Sequence, residues 1–331
     1  MKNYAPLLLL PLLVASCTRI VRTDDASAYT ATAYEPQYAS GFTIKSLPGD
    51  STMRMLEVYR PDTMRIIIPR GGFGSFLCMS STYVGALSEI GEGKKIVAVS
   101  NKDYLTDGDA KAHAVDVGYD GAMDYEALLG AKPELALIYG IGGESPIAPK
   151  LDELAVPYVY INDFEEQNPL GRAEWLVALG ALAGKDSRTT FNEIATGYRP
   201  VEDSVPVMIN APYGGVWFIP AKENYMSRLL ADAGARLTVP QADGVESGSI
   251  DLEEALPALS EARIWLSPGQ VKSLEDVKRL VPKARFEGAV WNQTPDFYES
   301  GAIRPDLVVR ELQSIVSGAA QDSLRYFVRV R

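Results

Sequence analysis

Histidine is almost missing from this chain: His113 is the single one in 331 residues. Sites for zinc and other transition metals recruit several His or Cys ligands. A metal centre built on histidines is therefore excluded, and a histidine-based triad would have to use His113. Cysteine is nearly as scarce, with only Cys17 and Cys78. Basic charge is in deficit, 32 Lys and Arg against 43 Asp and Glu, for a net charge of −11. A broad nucleic-acid surface is basic, so no nucleic-acid partner is expected. Beyond the first residues no apolar run approaches the ~18 residues of a spanning helix. No Gly-x-Ser-x-Gly elbow and no P-loop occur. What is present is ordinary globular material, 47% hydrophobic and 23% charged. Its length suits one large domain or two ordinary ones.

The amino terminus reads as a targeting segment. Lys2 supplies a short positive region, and Pro6 to Ala15 is apolar. That stretch is too short to cross a hydrocarbon layer of about 30 Å. It ends in Val14-Ala15-Ser16-Cys17, which resembles the lipobox of bacterial lipoproteins. The expectation is a signal peptide over 1–16, cleavage before Cys17 and a diacylglycerol on that thiol. The protein would then be periplasmic and held to a bacterial membrane. Only Cys78 would remain, so no disulfide can form inside the mature chain. Its apolar neighbours make Cys78 a buried thiol rather than a nucleophile. Residues 17–40, polar and without periodicity, are expected to be a flexible tether.

The body alternates strands and helices. Residues 41–60 suggest a hairpin around Pro48-Gly49-Asp50. Strands are expected at 65–69, 96–100, 135–139 and 158–161, with helices at 81–90, 124–131 and 148–155. Strands separated by helices imply parallel βαβ units. Between Pro169 and Tyr198 two helical stretches follow one another, a span that could reach roughly 45 Å as a strut. The alternation then restarts: strands at 207–210, 216–219, 264–267 and 286–291, helices at 225–233, 252–262, 274–280 and 305–316, and an edge strand within 324–330. An internal echo links the halves. Glu126 opens a short apolar helix that leads to Glu134 and a buried strand; Glu253 does the same toward Glu261. The expected fold is therefore α/β, with two Rossmann-like lobes (41–168 and 205–331) joined by a long rigid helix, a connecting strut over 169–204, and a ligand cleft between them.

Several stretches together resemble the periplasmic solute-binding proteins of ABC importers for cobalamin, haem and ferric siderophores. These are Ser80 to Gly91 with the strand after it, Met123-Asp-Tyr-Glu126 with Ala131-Lys-Pro-Glu-Leu-Ala-Leu-Ile138, Pro169 to Trp175, and Gly301 to Leu307. The resemblance covers roughly residues 65–316. It implies a monomeric, non-enzymatic binder without a cofactor or resident metal, whose lobes close slightly on a metal-chelate small molecule. It also implies that one exposed Glu per lobe, Glu126 and Glu253, docks on an Arg patch of the membrane permease.

The cleft should be lined by loops at the carboxyl ends of the strands. Aromatic residues gather at those positions: Tyr83, Tyr104, Tyr139, Tyr213, Trp217, Trp291, Phe297 and Tyr298. Such rings offer stiff faces to a flat macrocycle. Lys102, Lys222 and Arg304 are the basic candidates, too few for a strongly anionic catecholate chelate. His113 reads as a structural residue, with haem ligation as its alternative. Two readings from other classes compete: a secreted α/β enzyme, cofactor-dependent or hydrolytic, and an adhesion module. Gly140-Ile-Gly142-Gly-Glu-Ser145 with Asp163 mimics a dinucleotide fingerprint, but Ser145 stands where the third Gly belongs.

Overall fold

The computed structural model describes residues 25–269 and 271–331. The expected signal peptide, the expected acylation site Cys17 and the first part of the expected tether lie outside the described residues.

An antiparallel sheet comes first. It contains β1 (Ala31–Tyr34), β2 (Phe42–Leu47), β3 (Asp50–Val58) and β4 (Met64–Ile68), in that spatial order. The 41–60 hairpin is present, turning at Gly49 with φ +82°. The run at 65–69 is a strand, but it closes this sheet instead of opening the first lobe. The tether expectation is corrected over its described part. β1 is zipped onto β2. Two buried carboxylates hold the segment after it. Glu174 accepts from the N–H groups of Gln37, Tyr38 and Ala39 at 2.7–2.8 Å, and Glu166 from those of Ser40 and Gly41 at 2.8–2.9 Å. Buried backbone donors must find partners, and here the partners come from residues far along the sequence.

The amino-terminal lobe follows: β5 (Phe76–Cys78), α1 (Ser81–Glu89), β6 (Ile96–Val99), α2 (Gly108–His113), β7 (Val115–Asp116), α3 (Tyr125–Ala131), β8 (Leu135–Ile138), α4 (Ala148–Glu153) and β9 (Tyr158–Tyr160). Its sheet is wholly parallel, in the order β7-β6-β5-β8-β9. The central strand, β5, was not among those expected. Side-chain caps fix the helix starts: Ser80 accepts from Thr82 N–H before α1, and Asp124 from Ala127 N–H before α3.

The connection is helical and divided. α5 (Pro169–Leu182) is buried along its whole length except at Arg172; apart from Glu174 its buried residues are apolar or small, as a helix covered on every face requires. α6 (Arg188–Gly197) then starts afresh. The break falls at Gly184, φ +77°, where the 71–72 loop crosses. A Cβ on Gly184 would come within 1.9 Å of the Gly71 carbonyl oxygen. The strut is thus two packed helices instead of one rod.

The carboxy-terminal lobe holds β10 (Val205–Ile209), β11 (Pro212–Tyr213), β12 (Val216–Ile219), α7 (Tyr225–Asp232), β13 (Ala235–Leu237), β14 (Gly248–Asp251), α8 (Leu252–Glu261), β15 (Ile264–Leu266), α9 (Leu274–Leu280), β16 (Ala289–Gln293), α10 (Pro305–Ser317) and β17 (Phe327–Arg329). Its main sheet runs β13-β10-β15-β16-β17, parallel except for the edge strand β17. β11, β12 and β14 make a small antiparallel sheet of their own. The echo is real in the fold, since α3 leads into β8, beside the central strand β5, and α8 leads into β15, itself the central strand of its sheet.

The lobes meet at a clasp. The Glu299 carboxylate, in a π-helical turn over Phe297–Gly301, accepts from Thr106 N–H at 2.6 Å and Asp107 N–H at 2.8 Å. Arg304 bridges Asp306 of its own lobe and Glu89 of α1, each at 2.9 Å. α1 lies so close that a Cβ on Gly85 would sit 2.3 Å from the Glu299 carbonyl oxygen. Among the described residues no helix is long and apolar enough to cross a membrane.

Candidate ligand-binding site

A cleft of about 940 Å³ opens between the lobes. Residues just past the carboxyl ends of parallel strands form its floor: Met79 after β5, Ser100 and Asn101 after β6, Tyr139 after β8, and Ser267 after β15. Asn292 and Gln293 add the end of β16, and the β17 edge adds Val328 and Arg329. This is where an open α/β sheet leaves a crevice, because connecting loops diverge at the strand ends.

Tyrosines dominate its rim. Tyr104 closes a 3-10 turn after β6, Tyr119 lies in the turn between β7 and α3, and Tyr298 reaches over from the other lobe. They are 74%, 52% and 61% exposed. Tyr139 is half-buried deeper in; burial and then the nearby Asp120 carboxylate push its phenol pKa up. The Tyr298 hydroxyl donates to Gln293 Oε1 at 2.7 Å, which fixes the ring over the opening. Large aromatic faces left in water at a concave site are a binding signature. The cations here are Lys272 and Arg329. Among the described residues no group of three His, Cys, Asp or Glu could hold a metal ion.

Of the residues singled out from the sequence, Tyr104, Tyr139 and Tyr298 come together at the cleft. Tyr119, Lys272 and Arg329 join them unforeseen, since a turn residue and two surface cations carry no periodic signal. Tyr83, Trp217 and Trp291 do not line it. Tyr83 is buried in the first lobe with its hydroxyl donating to the Ile161 carbonyl. Trp217 packs on Trp265 with ring centres 5.5 Å apart, and its indole N–H donates to the Ile209 carbonyl at 2.8 Å. Trp291 and Phe297 are core of the second lobe. Each is a correction with one cause: the side chain points to the packed face of its element.

Tyr213 is exposed on the β11–β12 hairpin and is not part of the cleft wall. Arg304 belongs to the clasp, with its charge met by two carboxylates. Lys102 donates to the Ala114 carbonyl at 2.7 Å, and Lys222 pairs with Asp243 at 2.7 Å; neither lines the cleft. His113 is exposed at the end of α2, its Nδ1 against the Asp109 carbonyl. Cys78 is buried, and burial pushes its thiol pKa far up, as an inert thiol requires. The glycine-rich loop after β8 does not open into a helix at once, because α4 begins only at Ala148.

Glu126 and Glu253 are both exposed in the first turns of α3 and α8. These helices feed the amino ends of β8 and β15. Their own amino termini therefore lie toward the carboxyl ends of the strands, on the cleft side of each lobe.

Comparison with known proteins agrees with this geometry. The profile of a periplasmic binding protein family matches residues 77–280, more than half of the chain. An uncharacterized lipoprotein of Methanocaldococcus jannaschii is 23% identical over 271 residues, covering 72% of this chain and 64% of that protein. The matched stretch is thus less than two thirds of that relative's length. The crystal structure of a periplasmic heme binding protein from Pseudomonas aeruginosa superposes with a TM-score of 0.56 at 15% identity, over 78% of this chain and 98% of that one. A periplasmic vitamin B12 binding protein of Vibrio cholerae gives 0.51 at 16% identity, over 75% and 98%. At these identities the likeness to the solved structures is one of fold. With the family match, the strand-end cleft and the two lobes in place, the chain belongs to the periplasmic binding protein family.

Proposed function

We propose that this protein is the lipid-anchored solute-binding component of an ABC importer. It captures a metal-chelate small molecule (a corrinoid, haem or ferric siderophore) and delivers it to the inner-membrane permease, with no chemistry of its own. One observation carries the reading: Tyr104, Tyr119, Tyr139 and Tyr298 converge from two lobes on a cleft of about 940 Å³. Stiff aromatic faces suit a flat, preassembled chelate. The heme- and vitamin B12-binding proteins that share the fold support the same class. Glu126 and Glu253 stand on the cleft side of separate lobes, placed to orient the protein by charge-assisted contacts to permease arginines.

The test is a titration of the purified protein with cyanocobalamin, haem and a ferric hydroxamate, followed by absorbance and tryptophan fluorescence. The expected result is a stoichiometric spectral change with one of them and no turnover. Catalytic consumption of a chelate, or no spectral response to any of the three, would refute the reading.

A further inference from the structure

The accessory sheet breaks its own pattern at one end. The face of β2–β4 turned toward α5 is apolar at Phe42, Ile44, Leu56, Val58, Ile66 and Ile68, all buried in one core. Ser46 and Arg54, directly paired across β2 and β3, stand on that same face. An apolar pair there would close the core. Instead a cavity of about 410 Å³ opens between this end of the sheet, the last turns of α5 and the start of α6.

Its lining is cationic. Arg54, Lys185 and Arg188 face it, against a single carboxylate, Asp186. Arg188 occupies that carboxylate with two N–H donors, Nε at 2.8 Å among them. Among the described residues, Arg54 and Lys185 lie within ion-pair distance of no carboxylate. Thr32, Ser46 and Ser51 add hydroxyl donors. Asp186 is near enough to feel the Arg54 charge, but Arg188 holds its oxygens, and three cations around one carboxylate leave positive charge that a bound anion would offset. The pairing of a forked guanidinium with a flexible ammonium suits a phosphate group, one by geometry and the other as a point charge.

We propose that this pocket binds a phosphate group through Arg54 and Lys185. The site is separate from the inter-lobe cleft and does not rest on the reading of that cleft. The sheet that supplies Arg54 precedes residue 77, where the family match begins. The phosphate could belong to free orthophosphate or to a phospholipid headgroup, two sources with one chemistry.

The experiment has two arms on the full chain carrying Cys17→Ala, so that no lipid anchor intervenes. One is calorimetric titration with inorganic phosphate. The other is flotation with phosphatidylglycerol vesicles, with phosphatidylcholine vesicles as control. Arg54→Ala/Lys185→Ala is compared in both. One-to-one phosphate binding, weakened at least tenfold in the double variant, supports the free ion. A silent calorimeter with phosphatidylglycerol flotation that the double variant loses supports the headgroup. Equal responses from the parent and the double variant, or none from either in both arms, overturn the proposal. Should the double variant fail to fold, Arg54→Gln alone takes its place, with a threefold loss as the threshold.

Discussion

Truncating Tyr298 and truncating Trp291 should have opposite effects, and the structure sets both magnitudes. Tyr298 is 61% exposed, so removing its ring opens no cavity. An aromatic side chain presents about 150–250 Å², of which roughly 90–150 Å² is then free for a ligand to cover. If a flat ligand covers half of that, about 25 cal/mol per Å² gives about 1–2 kcal/mol. Tyr298→Ala should therefore weaken chelate binding about 5- to 30-fold with an unchanged melting temperature. Tyr298→Phe should restore most of the loss. Trp291, 3% exposed, is core. Trp291→Ala should cost about 3–5 kcal/mol of stability, while the fraction that stays folded binds normally. Calorimetric melting and ligand titration on the same preparations separate the two. A folded Tyr298→Ala protein with wild-type affinity for every chelate refutes the tyrosine cleft. A stable Trp291→Ala protein that binds weakly refutes the packing argument.

Three further outcomes are expected. Cys17→Ala should move the protein from the membrane fraction to the soluble fraction; retention on the membrane at wild-type levels would remove the lipoprotein reading. Glu126→Ala/Glu253→Ala should abolish permease binding, which in the parent should weaken with salt, and should leave ligand affinity intact; undiminished transport would defeat the docking role. Burial raises the Glu299 carboxyl above its ordinary 4.5, outweighing its two N–H partners. The stability it contributes is full below that pH and fades as pH rises through the raised value. Melting temperatures of the parent should therefore fall relative to Glu299→Gln on going from pH 4.5 upward, and parallel profiles would refute this account of Glu299.

Alternation of strands and helices was legible because it is local: Ser80, Asp124 and Gly91 punctuate their helices in the sequence as they do in space. β5 escaped because three residues, Phe76 to Cys78, are too few to show a period, although the strand sits at the centre of its sheet. Of the site, Tyr104, Tyr139 and Tyr298 were legible in the sequence, and the other aromatic candidates do not line it. The run at 286–291 ends on Trp291, yet β16 continues to Gln293. Both faces of the strand are packed at Val290 and Trp291, and only its last two residues, Asn292 and Gln293, reach the cleft. Tyr139 had no such ambiguity, since it is the first residue beyond β8. The ordered segment at 31–41 was illegible for another reason. What orders it is a pair of carboxylates on Glu166 and Glu174, more than a hundred residues away.

That segment has a mechanical meaning. A pull on the chain from its amino-terminal side meets first the 3-10 turn at Asp25–Ala28, where Ala26 and Tyr29 pack with Met55, and then β1, an edge strand. An edge strand drawn from its end peels one hydrogen bond at a time and yields at low force. Behind it, five consecutive backbone N–H groups, from Gln37 to Gly41, are gripped by two carboxylates rooted at α5 and just before it. Those bonds share the load together. β1 can therefore give way as a fuse while the grip at residues 37–41 keeps the strain out of the lobes, leaving the cleft geometry undisturbed when the amino-terminal side is pulled.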